Sequence, residues 1–234
     1  MEEIVFTTMD KLSPRERQQL GRYRHTVFVQ QLQWDLPLVG PGTIEEWDEF
    51  DRGNTVCVIA YTKGRSICGY ARLLPTTRPY LLSEVFPDLC SIPLISDSFT
   101  WELSRFTTFD NGVDCSIPGI RELLRFIFIR SQSLGIRQLV GVAPSSMDRL
   151  YRRLGLVLRP IGPAQTGKNG LAAFSLDINT AGLRALSDEH KCSSNFSPIQ
   201  ASCEPSISLS RADDISHGGK ISTVATIAVA WPPI

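Results

Sequence analysis

The predicted fold class is decided by residues 100–142, which read TWELSRFTTFDNGVDCSIPGIRELLRFIFIRSQSLGIRQLVGV. Residues 100–107 have the β-branched and aromatic content of a strand, and residues 119–134 carry leucine, isoleucine and phenylalanine at helical spacing. Gly135 predicts the end of that helix, and residues 138–142 predict a second strand. A strand, a helix and another strand in succession favour an α/β sandwich with some parallel pairing.

Toward the N-terminus the sequence predicts a strand at residues 4–8 and then a helix. Ser13 is the expected N-cap, Pro14 occupies the first helical position, and Glu16 completes a capping box. Apolar residues recur at three- and four-residue steps up to about residue 30. The first helix is therefore expected to end near residue 30.

A hairpin and a short helix are predicted between this first helix and residue 100. Residues 55–62 and 66–74 are rich in β-branched and aromatic side chains and flank the turn Lys-Gly-Arg. Residues 80–86 predict the short helix. A charged residue inside a strand, Arg72, is either paired or functional when it is buried, and otherwise it faces solvent.

Beyond residue 142, residues 145–154 predict a helix closed by Gly155, and residues 171–178 predict a last strand. From about residue 187 the composition changes to serine, aspartate, histidine, proline and glycine without periodicity. We therefore expect one domain over residues 1–186 and a disordered tail over residues 187–234.

The composition excludes several classes of protein. Lys+Arg 24 and Asp+Glu 24 give a formal net charge of zero, so neither nucleic acid nor a membrane is an expected partner. The six cysteines form no C-x-x-C pair, which predicts that there is no structural metal site. The acidic N-terminus lacks a signal peptide, and no apolar run reaches about 20 residues. These features predict a cytoplasmic protein.

Two opposite charges lie in the apolar segment WELSRF, residues 101–106. In a regular strand, Glu102 and Arg105 point to opposite faces, because side chains alternate. Glu102 is interpreted as a general base whose pKa is raised by apolar surroundings. The alternative is a structural ion pair with Arg105 or another arginine.

Aromatic and charged residues are concentrated around the end of the first helix and in the acidic segment EEWDEFD, residues 45–51. Arg24, Phe28 and Trp34 precede that segment. Aromatic faces attract an onium ion and carboxylates add Coulomb attraction, so a cation pocket is one interpretation. A solvated acidic loop with two anchoring aromatics is the other.

A basic stripe is predicted on the two helices of the second half. Its arginines recur at helical spacing and can gather charge on one surface, or they can form a solvated helix face. The stripe consists of Arg121, Arg125, Arg149, Arg152 and Arg153, with Arg130 farther along the first of these helices.

In order and interval, these motifs resemble those of the LuxI-type acyl-homoserine-lactone synthases, which make the autoinducers of bacterial quorum sensing. The resemblance rests on R-x3-F-x5-W, E-W-D-E-F-D, G-Y-A-R-L-L-P-T and W-E-L-S-R-F, and it extends to G-V-x-x-x-S-M-x-R-L-x-R-R-L-G. It covers the chain from residue 1 to about residue 186.

The resemblance implies a mixed α/β sheet in an N-acetyltransferase-like three-layer sandwich. Its central sheet would be twisted and splayed, with helices on both faces. It also implies N-acylation of S-adenosylmethionine by an acyl-phosphopantetheine thioester, usually on acyl carrier protein. Lactonisation with release of methylthioadenosine would follow, and no cofactor or metal beyond these substrates is implied.

The resemblance also implies roles for individual residues, with Glu102 as the catalytic base and the arginine stripe as the docking surface for the carrier protein. The residues expected to bind substrate are Arg24, Phe28, Trp34, Asp48, Asp51, Arg72, Phe86, Ser104 and Arg105.

Residues 106–119 lack the [RQ]-x-x-G-x-[GA] loop of acetyl-coenzyme-A users, which favours the carrier protein as donor. An acyl-coenzyme-A-dependent N-acyltransferase and a catalytically inactive ligand-binding relative remain the alternatives. Residues 140–147 are the expected lining for the acyl chain, for which an unsubstituted, medium-length group is favoured.

Overall fold

The computed structural model describes residues 1–34, 36–109, 117–145, 147–163 and 170–188. In these residues a seven-stranded sheet has the strand order β1-β2-β3-β4-β5-β7-β6. The strands are β1 (Glu3–Thr8), β2 (Val56–Tyr61), β3 (Ile67–Pro75), β4 (Thr100–Thr108), β5 (Gln138–Pro144), β6 (Arg159–Pro160) and β7 (Leu171–Asp177).

Helices and helical turns connect these strands. The α-helices are α1 (Pro14–Arg24), α2 (Leu81–Glu84), α3 (Ile117–Ser133), α4 (Met147–Arg153) and α5 (Thr180–Ser187). Single 3₁₀ turns lie at Met9–Lys11 and Pro87–Leu89, and a π-helical segment, His25–Gln31, continues α1. Within the described residues, no helix is long and apolar enough to cross a membrane.

Neighbouring strands pair antiparallel except for β4 and β5, which are parallel and joined through α3. A parallel pair needs a long crossover, which the helix supplies. The prediction of a sandwich with some parallel pairing is therefore confirmed.

The sheet opens between β4 and β5. Only three residue pairs join these strands, from Thr100 with Gln138 to Glu102 with Val140, although β4 has nine residues and β5 has seven. Beyond Glu102 the two strands no longer pair. The splayed central sheet implied by the family resemblance is confirmed, and the split begins at the candidate base.

Apolar side chains cover both faces of the sheet. On one face, Leu123 of α3, Tyr151 of α4 and Leu186 of α5 share a buried cluster with Val58 and Leu103. Helices α1 and α2 pack on the opposite face. Residues alternate between the two cores along each strand, as a sheet buried on both sides requires. The three-layer arrangement is confirmed.

Local signals at the helix ends agree with the sequence. The Ser13 hydroxyl accepts a hydrogen bond from the Glu16 backbone N–H, and the Glu16 carboxylate accepts one from the Ser13 backbone N–H. Gly135 and Gly155 follow α3 and α4 with φ of +75° and +77°, values that favour glycine. The predicted capping box and both helix ends are confirmed.

Among the described strands and α-helices, two were not predicted from the sequence: helix α5 and the two-residue strand β6. Helix α5 packs against α3, which shows that ordered structure continues to residue 187. The predicted tail from residue 189 onward lies outside the described residues.

Candidate active site

A bulge in β4 places its charged residues. Two residues of β4, Arg105 and Phe106, lie opposite the single residue Ala71 of β3, and Arg105 has φ +52°. The flanking register pairs are Arg72 with Ser104 and Tyr70 with Thr107. An extra residue reverses the alternation beyond it. Phe106 therefore returns to the apolar core of Leu103, while Arg105 shares the other face with Ser104 and Glu102.

Glu102 lies on that face with 1% exposure, at the start of helix α2. Its carboxylate oxygens accept hydrogen bonds from the backbone N–H groups of Leu81, at 2.8 Å, and Leu82, at 2.7 Å. The first N–H groups of a helix have no partner within the helix, so they are available to an acid. No arginine bonds this carboxylate among the described residues.

Burial raises the pKa of Glu102 to about 7, and the Leu82 N–H and the nearby Arg72 only partly oppose that rise. A carboxyl with this pKa exchanges its proton near neutral pH, as general base catalysis requires. The geometry is that of a buried carboxyl held by backbone donors, which is not the ion-pair alternative.

Three arginines and three acids form a closed ring on the same face of the sheet. Each arginine bridges two acids and each acid bridges two arginines, so the ring has zero net charge. Its contacts are Arg24–Glu46 at 2.5 Å, Glu46–Arg105 at 2.9 Å, Arg105–Asp48 at 3.0 Å, Asp48–Arg72 at 2.5 Å, Arg72–Asp51 at 2.9 Å and Asp51–Arg24 at 2.7 Å. We call this set the charged ring.

All six side chains of the charged ring are at least 95% buried. Burial alone would raise the pKa of Glu46, but the guanidinium groups of Arg105 and Arg24 lower it to about 2. Against the same effect of burial, Arg72 and Arg105 lower the pKa of Asp48. Glu46 and Asp48 therefore stay ionised at neutral pH, because each lies between two arginines.

An aromatic pair adjoins the ring. The rings of Phe28 and Trp34 stack with centroids 4.7 Å apart, and the Arg105 guanidinium carbon lies 5.4 Å from one centroid and 5.7 Å from the other. Phe28 is fully buried and Trp34 is partly exposed. The two lie together because the π-helical segment is followed by a hydrogen bond from the Trp34 N–H to the Phe28 carbonyl, at 2.9 Å.

Comparison with known proteins places this geometry in a family. Residues 9–186 match the family model described as autoinducer synthase. The chain belongs to the autoinducer synthase family. It is 41% identical over 175 residues to the acyl-homoserine-lactone synthase of Ralstonia solanacearum, which covers 71% of this chain and 84% of the relative. Such synthases are acyltransferases, so the prediction that the chain is an enzyme of this class is confirmed.

Solved structures of similar proteins agree. TofI, in a ternary complex with an inhibitor and MTA, has a TM-score of 0.69 and 36% identity, covering 81% of this chain and all of that one. BjaI, described as a coenzyme-A-dependent acyl-homoserine lactone synthase with SAM and isopentyl-CoA, has a TM-score of 0.69 and 28% identity, covering 78% of this chain and 86% of that one.

Within this synthase fold, most of the predicted substrate-binding residues come together. The charged ring contains five of them, and the Arg72 side chain also donates to the Ser104 hydroxyl at 3.0 Å. Phe86 lies in the apolar cluster beneath Trp34. Because Arg72 is fully buried, its solvent-facing alternative is wrong. Asp48 and Asp51 bind arginines of the chain itself, so the acidic segment is not a solvated loop.

The sequence prediction missed Glu46. It lies between two other charged or aromatic residues in EEWDEFD, and nothing in the local spacing separates it from Glu45 or Glu49. Only its burial between Arg24 and Arg105 identifies it. A signal that could have found it is the need of buried arginines for acids, since Arg72 and Arg105 lie in apolar strand segments.

The basic stripe lies on the opposite face of the sheet, on α3 and α4. Arg125, Arg149 and Arg153 are exposed. Arg121 is partly exposed and donates to the Ala185 carbonyl at 2.6 Å, and Arg152 pairs with Asp148 at 2.6 Å.

A small apolar pocket lies beside Glu102. Val140, which pairs with Glu102 across the sheet, lines it together with Leu82, Tyr80 and Ile95. The Tyr80 hydroxyl donates to the Ile95 carbonyl at 2.9 Å, and this bond links the loop of residues 90–99 before β4 to the start of α2. Of the predicted acyl lining, Val140 contributes to this pocket, and residue 146 lies outside the described residues.

Proposed function

We propose that this synthase transfers an acyl group from acyl carrier protein to the amine of S-adenosylmethionine, and that lactonisation then releases methylthioadenosine. The observation that carries the proposal is Glu102, buried where β4 and β5 separate, with a pKa near 7. The split admits a thioester arm beside the base. No cofactor beyond the two substrates is needed.

Glu102 takes the amine proton, so that the nitrogen lone pair attacks the thioester carbonyl. The carbonyl oxygen gains negative charge as the bond forms, and a donor must lie there. The bulge at Arg105 interrupts the ladder of β3 and β4, and a backbone N–H of this segment is the proposed donor. The tetrahedral intermediate collapses as the C–S bond breaks, and the sulfur leaves as a thiol with the second proton that the nitrogen loses. The methionyl carboxylate then attacks its own γ-carbon and expels methylthioadenosine.

S-Adenosylmethionine is the proposed acceptor because TofI is described with MTA and BjaI with SAM. Trp34 and Phe28 offer aromatic faces to a sulfonium ion. One terminal nitrogen on each of Arg24, Arg72 and Arg105 is buried without a hydrogen-bond partner in the part of the chain that the structure describes. An unpaired buried donor is costly, so these nitrogens are suited to the substrate carboxylate.

The proposed donor is acyl carrier protein, supported by the exposed Arg125, Arg149 and Arg153 on the face behind the split. A carrier protein with an acidic surface would meet opposite charge there. The second candidate is acyl-coenzyme A, which is favoured by the described donor of BjaI. The purified enzyme should be assayed with the same acyl group on each carrier, and the proposal requires a kcat/KM at least tenfold higher for acyl carrier protein.

The reaction itself is tested by mass spectrometry of spent medium from a bacterium that expresses the chain. Wild type should release an acyl-homoserine lactone, and Glu102→Gln should lower the yield about 100-fold or more, the scale of a lost general base. Glu84→Gln, an exposed acid of the same helix α2, is the matched control and should act as wild type. A wild-type chain that releases no lactone would favour the inactive ligand-binding alternative.

A further inference from the structure

One face of α1 carries a side-chain stack of which the proposed chemistry uses only Arg24. Arg17, Gly21 and Arg24 follow at steps of four and three residues and so lie on the same face of the helix. The indole of Trp47 lies over all three positions. The guanidinium carbons of Arg17 and Arg24 are each 5.1 Å from its ring centroid.

Gly21, the middle position, has no room for a side chain while Trp47 lies against α1. A Cβ atom on Gly21 would lie 2.7 Å from Cζ2 and 2.8 Å from Cε2 of Trp47, and 3.0 Å from Cβ of Glu45. Real side chains essentially never approach so closely, so an alanine there would push the indole away from the helix. Gly21 is therefore the place on α1 that receives Trp47.

The same contact fixes the acidic segment to α1. The Glu46 backbone N–H donates to the Gly21 carbonyl at 3.0 Å, and Trp47 Nε1 donates to the Glu45 carboxylate at 3.0 Å. The backbone of Glu46 is thus bonded to α1, and its two sequence neighbours, Glu45 and Trp47, are bonded to each other. The Glu46 carboxylate in turn binds Arg24 and Arg105, and these three side chains form half of the charged ring.

We propose that Trp47 is a positioning residue for the charged ring and that Gly21 is required for its indole to lie against α1. Trp47 acts through Glu46 and Arg24, and it does not touch the reacting atoms. The inference rests on the proposed function, because it expects the ring to orient S-adenosylmethionine. Displacement of catalytic geometry by about 1 Å can cost on the order of 100-fold in rate.

The direction in which Gly21→Ala changes the melting temperature distinguishes this contact from the usual effect of a glycine-to-alanine substitution in a helix. Inside a helix, alanine is normally more stabilising than glycine. Gly21→Ala should nevertheless lower the melting temperature, because the new methyl group meets Trp47. In a Trp47→Phe background the two indole contacts are gone and only the 3.0 Å approach to Cβ of Glu45 remains, so Gly21→Ala should lower the melting temperature less than it does in the wild-type chain.

The experiment compares Gly21→Ala, Trp47→Phe, the double variant and Gly53→Ala by steady-state kinetics and thermal unfolding. Gly53 is the matched control, since a Cβ there comes no closer than 3.5 Å to Asp10. Each of the first two variants should raise the KM for S-adenosylmethionine about tenfold and leave the KM for the acyl donor within about twofold. The double variant should be no worse than Trp47→Phe alone.

Two results would overturn the inference. One is an unchanged KM for S-adenosylmethionine, whether or not the melting temperature falls, and the other is effects of the two substitutions that multiply in the double variant. If wild type makes no lactone, the proposed function fails by itself. The melting-temperature cycle and the calorimetric Kd for S-adenosylmethionine then still decide the role of Trp47, and wild-type protein that does not bind this ligand would contradict it.

Discussion

Arg105 and Glu102 lie on the same face of β4, although three residues of a regular strand would place them on opposite faces. The bulge at Arg105 is the cause. The two side chains nevertheless have separate partners, since Glu102 accepts from backbone N–H groups and Arg105 binds Glu46 and Asp48. The strand thereby carries a carboxyl group and a guanidinium group on one face without pairing them.

The pH dependence of catalysis should follow Glu102. Its pKa of about 7 means that the carboxyl is protonated below that pH and cannot accept a proton from the amine. We expect kcat/KM to rise with pH and to level off above about pH 7. A rate that is flat from pH 5.5 to 8 would contradict the role of Glu102, as would a Glu102→Gln variant with the wild-type profile.

The raised pKa of Glu102 should also make the free energy of unfolding depend on pH. A folded-state pKa of about 7 against an ordinary value of 4.5 means that Glu102 contributes stability that is fully present below pH 4.5 and lost as the pH rises to about 7. Between pH 4.5 and pH 8, wild type should lose on the order of 3 kcal/mol relative to Glu102→Gln. Urea unfolding of both proteins at the two pH values measures this difference, which cancels the titration of all other groups.

Breaking the charged ring should be costly. One oxygen of Asp51 binds both Arg24 and Arg72, and the other accepts the Asp48 backbone N–H at 2.8 Å. Asp51→Asn leaves two buried guanidinium groups short of countercharge, and we expect a loss of about 3–5 kcal/mol in the free energy of unfolding. Glu49→Gln removes an exposed acid from the same segment and should change stability by less than about 0.5 kcal/mol. Equal losses in the two variants would refute a special role for the ring.

Charge reversal on the basic stripe should separate the two donors. Arg149→Glu combined with Arg153→Glu changes two exposed side chains of α4 and should raise the KM for acyl carrier protein about tenfold or more. The KM values for S-adenosylmethionine and for an acyl-coenzyme A should stay unchanged. Arg121 is a poor choice for this test, because its bond to the Ala185 carbonyl holds α5 against α3. If the KM for S-adenosylmethionine rises as much, the stripe is not the docking surface.

Local sequence signals predicted the order of the main elements well. The capping box of Ser13 and Glu16, the glycines after α3 and α4, and the hairpin of β2 and β3 depend on neighbours within a few residues. Helix α5 was not predicted because it has only eight residues, follows directly on the last predicted strand and ends where the composition changes near residue 187.

Periodicity and short-range spacing are properties of consecutive residues, and they were enough to predict the sandwich of strands and helices, the family motifs and most of the candidate site residues. The tertiary structure alone decided how those residues pair. Arg105 and Glu46 are 59 positions apart, and Arg24 and Glu46 are 22 apart, so no local pattern could join them. The bulge that turns Arg105 toward Glu46 arises from the register between β3 and β4, a contact between strands that neither strand specifies alone.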